Sequence, residues 1–161
     1  MYVVCGVIGA LRALFDECPE RDLVSWTTLI QGYVKMGFWT ESVKVFFEMC
    51  EANLQADEMT MVVVLPPCAN LGDLILGRRI HGYMCDHNMN FDVFVDNALV
   101  DMYFKCGDTD LARKVFNEMP VKNVVSWNSM ISGLAQQGEF KEALNMFRKM
   151  QSRGMNPVMS L

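Results

Sequence analysis

The chain has 161 residues, 52% hydrophobic and 20% charged, which suits one packed core or a short array of small units and excludes a disordered chain. Its formal net charge of -5 argues against gripping nucleic acid through a basic face, though not against contacts made base by base. No apolar run approaches the ~20 residues that cross a bilayer, and six cysteines scattered from Cys5 to Cys106, with no C-x-x-C pair and no signal peptide, fit a reducing compartment.

The opening "MYVVCGVIGALRALFDE" lacks the Arg-rich and Ser-rich character of a transit peptide, so any such address is expected to be missing from this chain. From Leu23, the residues Trp26, Leu29, Ile30, Tyr33 and Val34 follow i, i+3, i+4, i+7, i+8, the period of a helix with one apolar face. Gly37 stands where a left-handed helix cap belongs. Thr40 is then expected to cap a second helix whose apolar stripe is Val43, Phe46, Phe47 and Cys50. Further along, "KMGFWTES", "NLGDLILG", "KCGDTDLA" and "QQGEFKEA" mark four such turns at Gly37, Gly72, Gly107 and Gly138, spaced 35, 35 and 31 residues apart, with Gly6 another 31 before Gly37. Pro66 and Pro67 fall inside an expected first helix, where each removes an N–H and crowds the preceding turn, so a kink or an early helix end is predicted there.

These spacings make a superperiod of 101. "LVSWTTLIQG" from Leu23 returns as "VVSWNSMISG" from Val124, and the same offset carries Tyr2, Gly6, Arg12, Phe15 and Pro19 onto Tyr103, Gly107, Arg113, Phe116 and Pro120. The chain is thus a concatenation of helical hairpins of two lengths. Each hairpin is apolar on more than one side and must stack on its neighbours to bury that surface. Trp26, Trp127, Tyr2 and Tyr103 lie in the apolar stripes and are expected in the core, rather than as stacking platforms for bases, with the 14 methionines filling gaps among them.

"VLPPCANLGDLILGRRIHGYM", "NALVDMYFKCGDTDLARKVFNEMP" and "VVSWNSMISGLAQQGEFKEALNMFRKM" resemble pentatricopeptide repeats, and the alternating lengths resemble the plant subclass that strings together standard (P), long (L) and short (S) repeats. The resemblance implies an all-α fold, a right-handed α-solenoid of stacked helix-turn-helix repeats. It divides the chain into a partial S repeat at 1–22, P at 23–57, L at 58–92, S at 93–123 and P at 124–158. It also implies single-stranded RNA binding, one base per repeat, read by the fifth residue of a repeat and by its last.

Carried over, the first complete repeat offers Thr27 and Asp57, a pair the family associates with guanine, whose Watson–Crick edge carries an acceptor and two N–H donors. The S repeat offers Asn97 and Asn123, resembling a pyrimidine reader with cytosine favoured. The second residues of the P repeats, Val24 and Val125, resemble the apolar wedge between adjacent bases. Four positions depart from the pattern: Val62 cannot hydrogen-bond a base edge beside its partner Asp92, Val158 is apolar where Asn128 should have a polar partner, and Asp22 closes a repeat whose fifth residue is missing.

His81 and Cys85, i and i+4 on a helix with His87 nearby, have no second ligand pair at zinc spacing, so no metal is expected and His81 reads as an ordinary helix residue. No other cofactor is implied, and the carboxylates read as a solvated face with no acid and base pair. Members with this alternation usually serve organelle RNA editing, in mitochondrion or chloroplast, where an extension or a partner in trans supplies the deaminase. That chemistry needs H-x-E and P-C-x-x-C, and neither string occurs here, so the chain is expected to be no enzyme, with RNA and editing factors as partners and no membrane. The rivals are a tetratricopeptide-like protein scaffold, disfavoured by the 35 and 31 alternation, and a truncated product with little activity, since beginning inside a repeat would leave an uncapped apolar end.

Overall fold

The computed structural model describes residues 2–155, apart from the side chains of residues 2–5, 7 and 8. Val158 and the side chain of Tyr2 lie outside the described residues. Nine α-helices and no strand occur among the described residues: α1 (Tyr2–Glu17), α2 (Leu23–Lys35), α3 (Trp39–Glu51), α4 (Glu58–Leu71), α5 (Leu74–Asp86), α6 (Val93–Lys105), α7 (Thr109–Glu118), α8 (Val124–Gln136) and α9 (Phe140–Ser152). They form two compact units that divide between Leu71 and Gly72, inside the stretch expected as the L repeat.

In the first unit α2 and α3 form a hairpin, α4 packs on both, and α1 packs on α2. The core holds Phe15, Trp26, Leu29, Ile30, Phe46, Met49, Met61 and Leu65, all buried. In the second unit α6 packs on α5, α7 and α8, and α8 also on α7 and α9. Its core holds Ile80, Met84, Leu99, Met102, Tyr103, Phe116, Trp127 and Met130. Trp26, Trp127 and Tyr103 are core residues, as their place in the apolar stripes implied.

The turns form for a local reason. Gly37, Gly107 and Gly138 have φ of 77°, 84° and 84°. Each donates its N–H to the carbonyl three residues back, and the next residue donates to the carbonyl five back, as in Gly37 to Val34 and Phe38 to Tyr33. This double closure satisfies carbonyls that a helix end leaves open, and it needs a left-handed residue. The second helices of the longer repeats end the same way on Asn53 and Asn88, with φ of 63° and 50°, asparagine being the side chain that best tolerates this region. The short repeat has no such residue: α7 is 10 residues long against 13 for α3, and its cap Met119 is extended. That lost turn, with a connector of residues 119–123 in place of 52–57, is the physical origin of the 31-residue spacing.

Three expectations are corrected. Thr40 does not cap α3, because the chain leaves the Gly37 closure directly into a helix starting at Trp39; Phe38 holds the cap position without a side-chain bond, and Thr40 is exposed in the first turn. Gly6 marks no turn, since α1 runs unbroken through it. Of the kink or early helix end expected at the prolines, the early end does not occur: α4 contains both Pro66 and Pro67 and continues to Leu71. An interior proline costs ~3 kcal/mol, but Met61, Val64, Leu65 and Cys68 are completely buried around them, and each such side chain contributes about 1.5–3 kcal/mol. Packing against α2 and α3 outweighs the two lost backbone bonds.

First helices of successive repeats approach closely at Gly133, where a Cβ would stand 2.3 Å from the Phe104 ring. Gly133→Ala should therefore cost about 1–3 kcal/mol by overpacking. Gly82→Ala, with nothing within 4 Å, should gain about 0.5–1 kcal/mol from the helix preference alone. Urea denaturation midpoints of the two variants check the contrast.

Candidate nucleic-acid interface

Each first helix begins on a residue that caps it. Asp22, Asp57 and Asp92 accept the backbone N–H of Ser25, Thr60 and Val95 at 2.9 Å, and Asn123 accepts that of Ser126 at 3.0 Å. These four are the last residues of their expected repeats. The capping bond occupies one oxygen of each side chain and fixes its direction, at a worth of about 1 kcal/mol to the helix. The Asp22 carboxyl is held below its usual range by the N–H and hydroxyl that Ser25 donates to it.

Two of the fifth residues, Thr27 and Asn97, are drawn to these caps from a helix away. Thr27 on α2 is half-buried, and its hydroxyl lies 3.3 Å from that of Thr60, which itself donates to the Asp57 carboxylate at 2.7 Å. Thr27 and Asp57, 30 positions apart, thereby share one neighbour. In the second unit the link is direct: Asn97 Nδ2 donates to Asn123 Oδ1 at 3.2 Å, and Ser126 donates to Asn97 Oδ1 at 2.6 Å. Asn97 is only 7% exposed. Its amide keeps one N–H and one oxygen lone pair beyond these bonds, so it can offer a narrow polar edge rather than a free side chain.

Asn128 lies in a cleft of about 300 Å³ between α6 and α8, beside Val125, Ser132, Gln136, Asp101 and Lys105. The cleft brings the fifth and second residues of the last repeat together. Val62 is half-buried on α4, with no polar group to offer, and Asp92 bonds only to the start of its own helix.

The second positions show a pattern that the sequence reading caught only in part. Val24 and Val125 are 71% and 56% exposed, and so are Met59 at 63% and Phe94 at 67%, the second residues of the other two repeats. One exposed apolar residue is ordinary. Four at the same register position, two in each unit, are apolar side chains that the core does not use. Counting from each capping residue would have found Met59 and Phe94 from the letters alone.

The residues considered for metal are engaged elsewhere. His81 Nδ1 lies 2.5 Å from the Tyr103 hydroxyl, and His87 Nδ1 faces the Tyr83 carbonyl at 2.8 Å, while Cys85 is exposed. Burial holds the His81 imidazole below its ordinary range and pushes the Tyr103 phenol up to about 12. Among the described residues no three His, Cys, Asp or Glu side chains stand together as a metal cage, and no helix is long and apolar enough to cross a membrane.

The profile described as PPR repeat matches residues 24–54 and 97–124, and that of the PPR repeat family matches 122–157. Two pentatricopeptide repeat-containing proteins of Arabidopsis thaliana resemble the chain over 98% of its length. One, named as chloroplastic, is 42% identical and the other, named as mitochondrial, is 38% identical; the chain spans 20% and 28% of their lengths. The crystal structure of the pentatricopeptide repeat protein PPR10, in complex with an 18-nt psaJ RNA element, superposes with a TM-score of 0.78 at 22% identity, over 95% of this chain and 24% of that one. That likeness is one of fold.

Proposed function

The chain belongs to the pentatricopeptide repeat family, and from that premise we propose that it binds single-stranded RNA and reads one base per repeat. The observation that carries the reading is the convergence of two fifth residues on the last residues of their own repeats: Asn97 on Asn123 directly, and Thr27 on Asp57 through Thr60. Residues 26 and 30 positions apart need no such meeting for packing alone, and both pairs present polar atoms at the start of a first helix. Exposed Val24 and Met59 in the first unit, and Phe94 and Val125 in the second, supply apolar faces against which bases can stand. In this reading the repeats are 23–57, 58–92, 93–123 and 124–158 with a partial unit before them, alternating as P, L and S.

Thr27 with Asp57 reads guanine, Asn97 with Asn123 a pyrimidine, and Asn128 a base that no polar partner at Val158 sharpens. Val62 leaves the base opposite the L repeat unselected. The chain acts as a binder without chemistry of its own, in chloroplast or mitochondrion as the named relatives suggest. Editing factors or a deaminase in trans supply whatever reaction follows.

RNA decamers of random sequence, selected on the immobilised chain and sequenced, test this. Guanine should be enriched, followed at a distance of two nucleotides by a pyrimidine. Because the net charge is -5, binding should weaken only gently with added salt, by a slope well below one that many phosphate contacts would give. Retention of peptides with no base preference among bound RNAs would favour a protein scaffold instead.

A further inference from the structure

The caps and fifth residues are joined by a third group that lies outside the two-residue code: the side chain three places into the following repeat. In chain order this position holds Ser25, Thr60, Val95 and Ser126. Thr60 and Ser126 are completely buried polar residues, and both touch a fifth residue and a last residue at once. We infer that this hydroxyl is a specificity-determining positioning residue, which sets whether the readers beside it offer acceptors or donors to a base. The inference rests on the base-reading function proposed above.

The polarity follows from counting protons. A threonine hydroxyl has one proton, and Thr60 donates it at 2.7 Å to the Asp57 carboxylate, which accepts only. In the 3.3 Å contact between Thr27 and Thr60, Thr27 must therefore be the donor. Its remaining lone pairs, together with the second carboxylate oxygen of Asp57, present acceptors alone. That edge complements the N1–H and N2–H donors of guanine and opposes the N1 acceptor of adenine.

In the other pair the same device gives the opposite sign. Asn123 Oδ1 accepts from Ser126 N–H at 3.0 Å and from Asn97 Nδ2 at 3.2 Å, with the Ser126 hydroxyl also 3.0 Å away, so this oxygen is filled and the amide has its N–H donors left to offer. Ser126 accepts the Asn123 backbone N–H at 3.1 Å and donates to Asn97 Oδ1 at 2.6 Å, so the Asn97 amide is held in one of its two flips. The pair is rich in donors, which suits the O2 and N3 acceptors of cytosine. Where the fifth residue is Val62, the corresponding third position is Val95: with no polarity to set, the hydroxyl is gone.

Thr60→Val keeps the shape of the side chain and removes the hydroxyl. Using the full chain and RNA oligonucleotides that differ at one nucleotide, discrimination of guanine over adenine at the Thr27 position should fall about tenfold, while the pyrimidine preference at Asn97 stays unchanged. Thr60→Ser should restore it. Ser126→Ala should do the converse, erasing the pyrimidine preference and sparing guanine, and it carries the test if Thr60→Val loses its helical circular dichroism. A wild-type chain blind to base identity overturns the base-reading function and the inference together. A wild type that discriminates, with either hydroxyl variant discriminating equally well, overturns the inference alone.

Discussion

Trp127→Ala is expected to lower stability by about 3–5 kcal/mol, the range for truncating a buried aromatic. Its ring is buried, meets Phe116 edge-on with centroids 5.1 Å apart, and lies under the Arg153 guanidinium at 5.3 Å. It thus joins α7, α8 and the end of α9. A chain of this size is stable by roughly 5–15 kcal/mol, so the loss is a large part of the total and should move the urea midpoint accordingly. Trp127→Phe separates packing from polarity. Among the described residues the indole Nε1 is buried with no hydrogen-bond partner, and a buried donor left unmade costs about 1–3 kcal/mol. Phenylalanine keeps the edge-on pair and removes that donor, so it should cost less than half as much as alanine. A phenylalanine variant losing more than half of what alanine loses would mean that the indole N–H makes a hydrogen bond in solution.

Thr27→Asn is the second large effect, and it falls on specificity. Thr27 presents acceptors because its proton is turned toward Thr60. An asparagine amide brings two N–H donors to the same place, and the edge changes from one that fits guanine to one that fits a pyrimidine acceptor. Exchanging a made hydrogen bond for a mismatched one costs about 1–3 kcal/mol, or roughly tenfold and upward in relative affinity. Competition between RNAs carrying guanine or cytosine at that nucleotide should reverse in order. An order unchanged from wild type would remove Thr27 from the reading register.

Much of the fold was legible from the letters because its signals are local. The 3.6-residue stripe of Trp26, Leu29, Ile30 and Tyr33 marks one helix face. Gly37, Gly107 and Gly138 mark places where only a left-handed residue closes the helix, and the chain has that conformation at each. The candidate site was legible as a register and not as a geometry. Counting places Thr27 and Asp57 in one repeat, but nothing local says that Thr60 stands between them or that Asn97 is nearly enclosed. Thr40 resembles a cap because it is a polar residue three places after Gly37, whereas closure of the preceding helix already delivers the chain into the next at Trp39.

The sequence by itself determined the apolar helix faces and the left-handed turns at Gly37, Gly107 and Gly138, since each depends on residues within about four places of one another. Only the tertiary structure decided the fate of Pro66 and Pro67, because the burial of Met61, Val64, Leu65 and Cys68 that carries α4 through them comes from other helices. It also decided the direction of the hydrogen bonds at Thr27 and Asn97. That direction depends on which proton a neighbour from the next repeat has left to give, a fact held in three dimensions and in no short stretch of the chain.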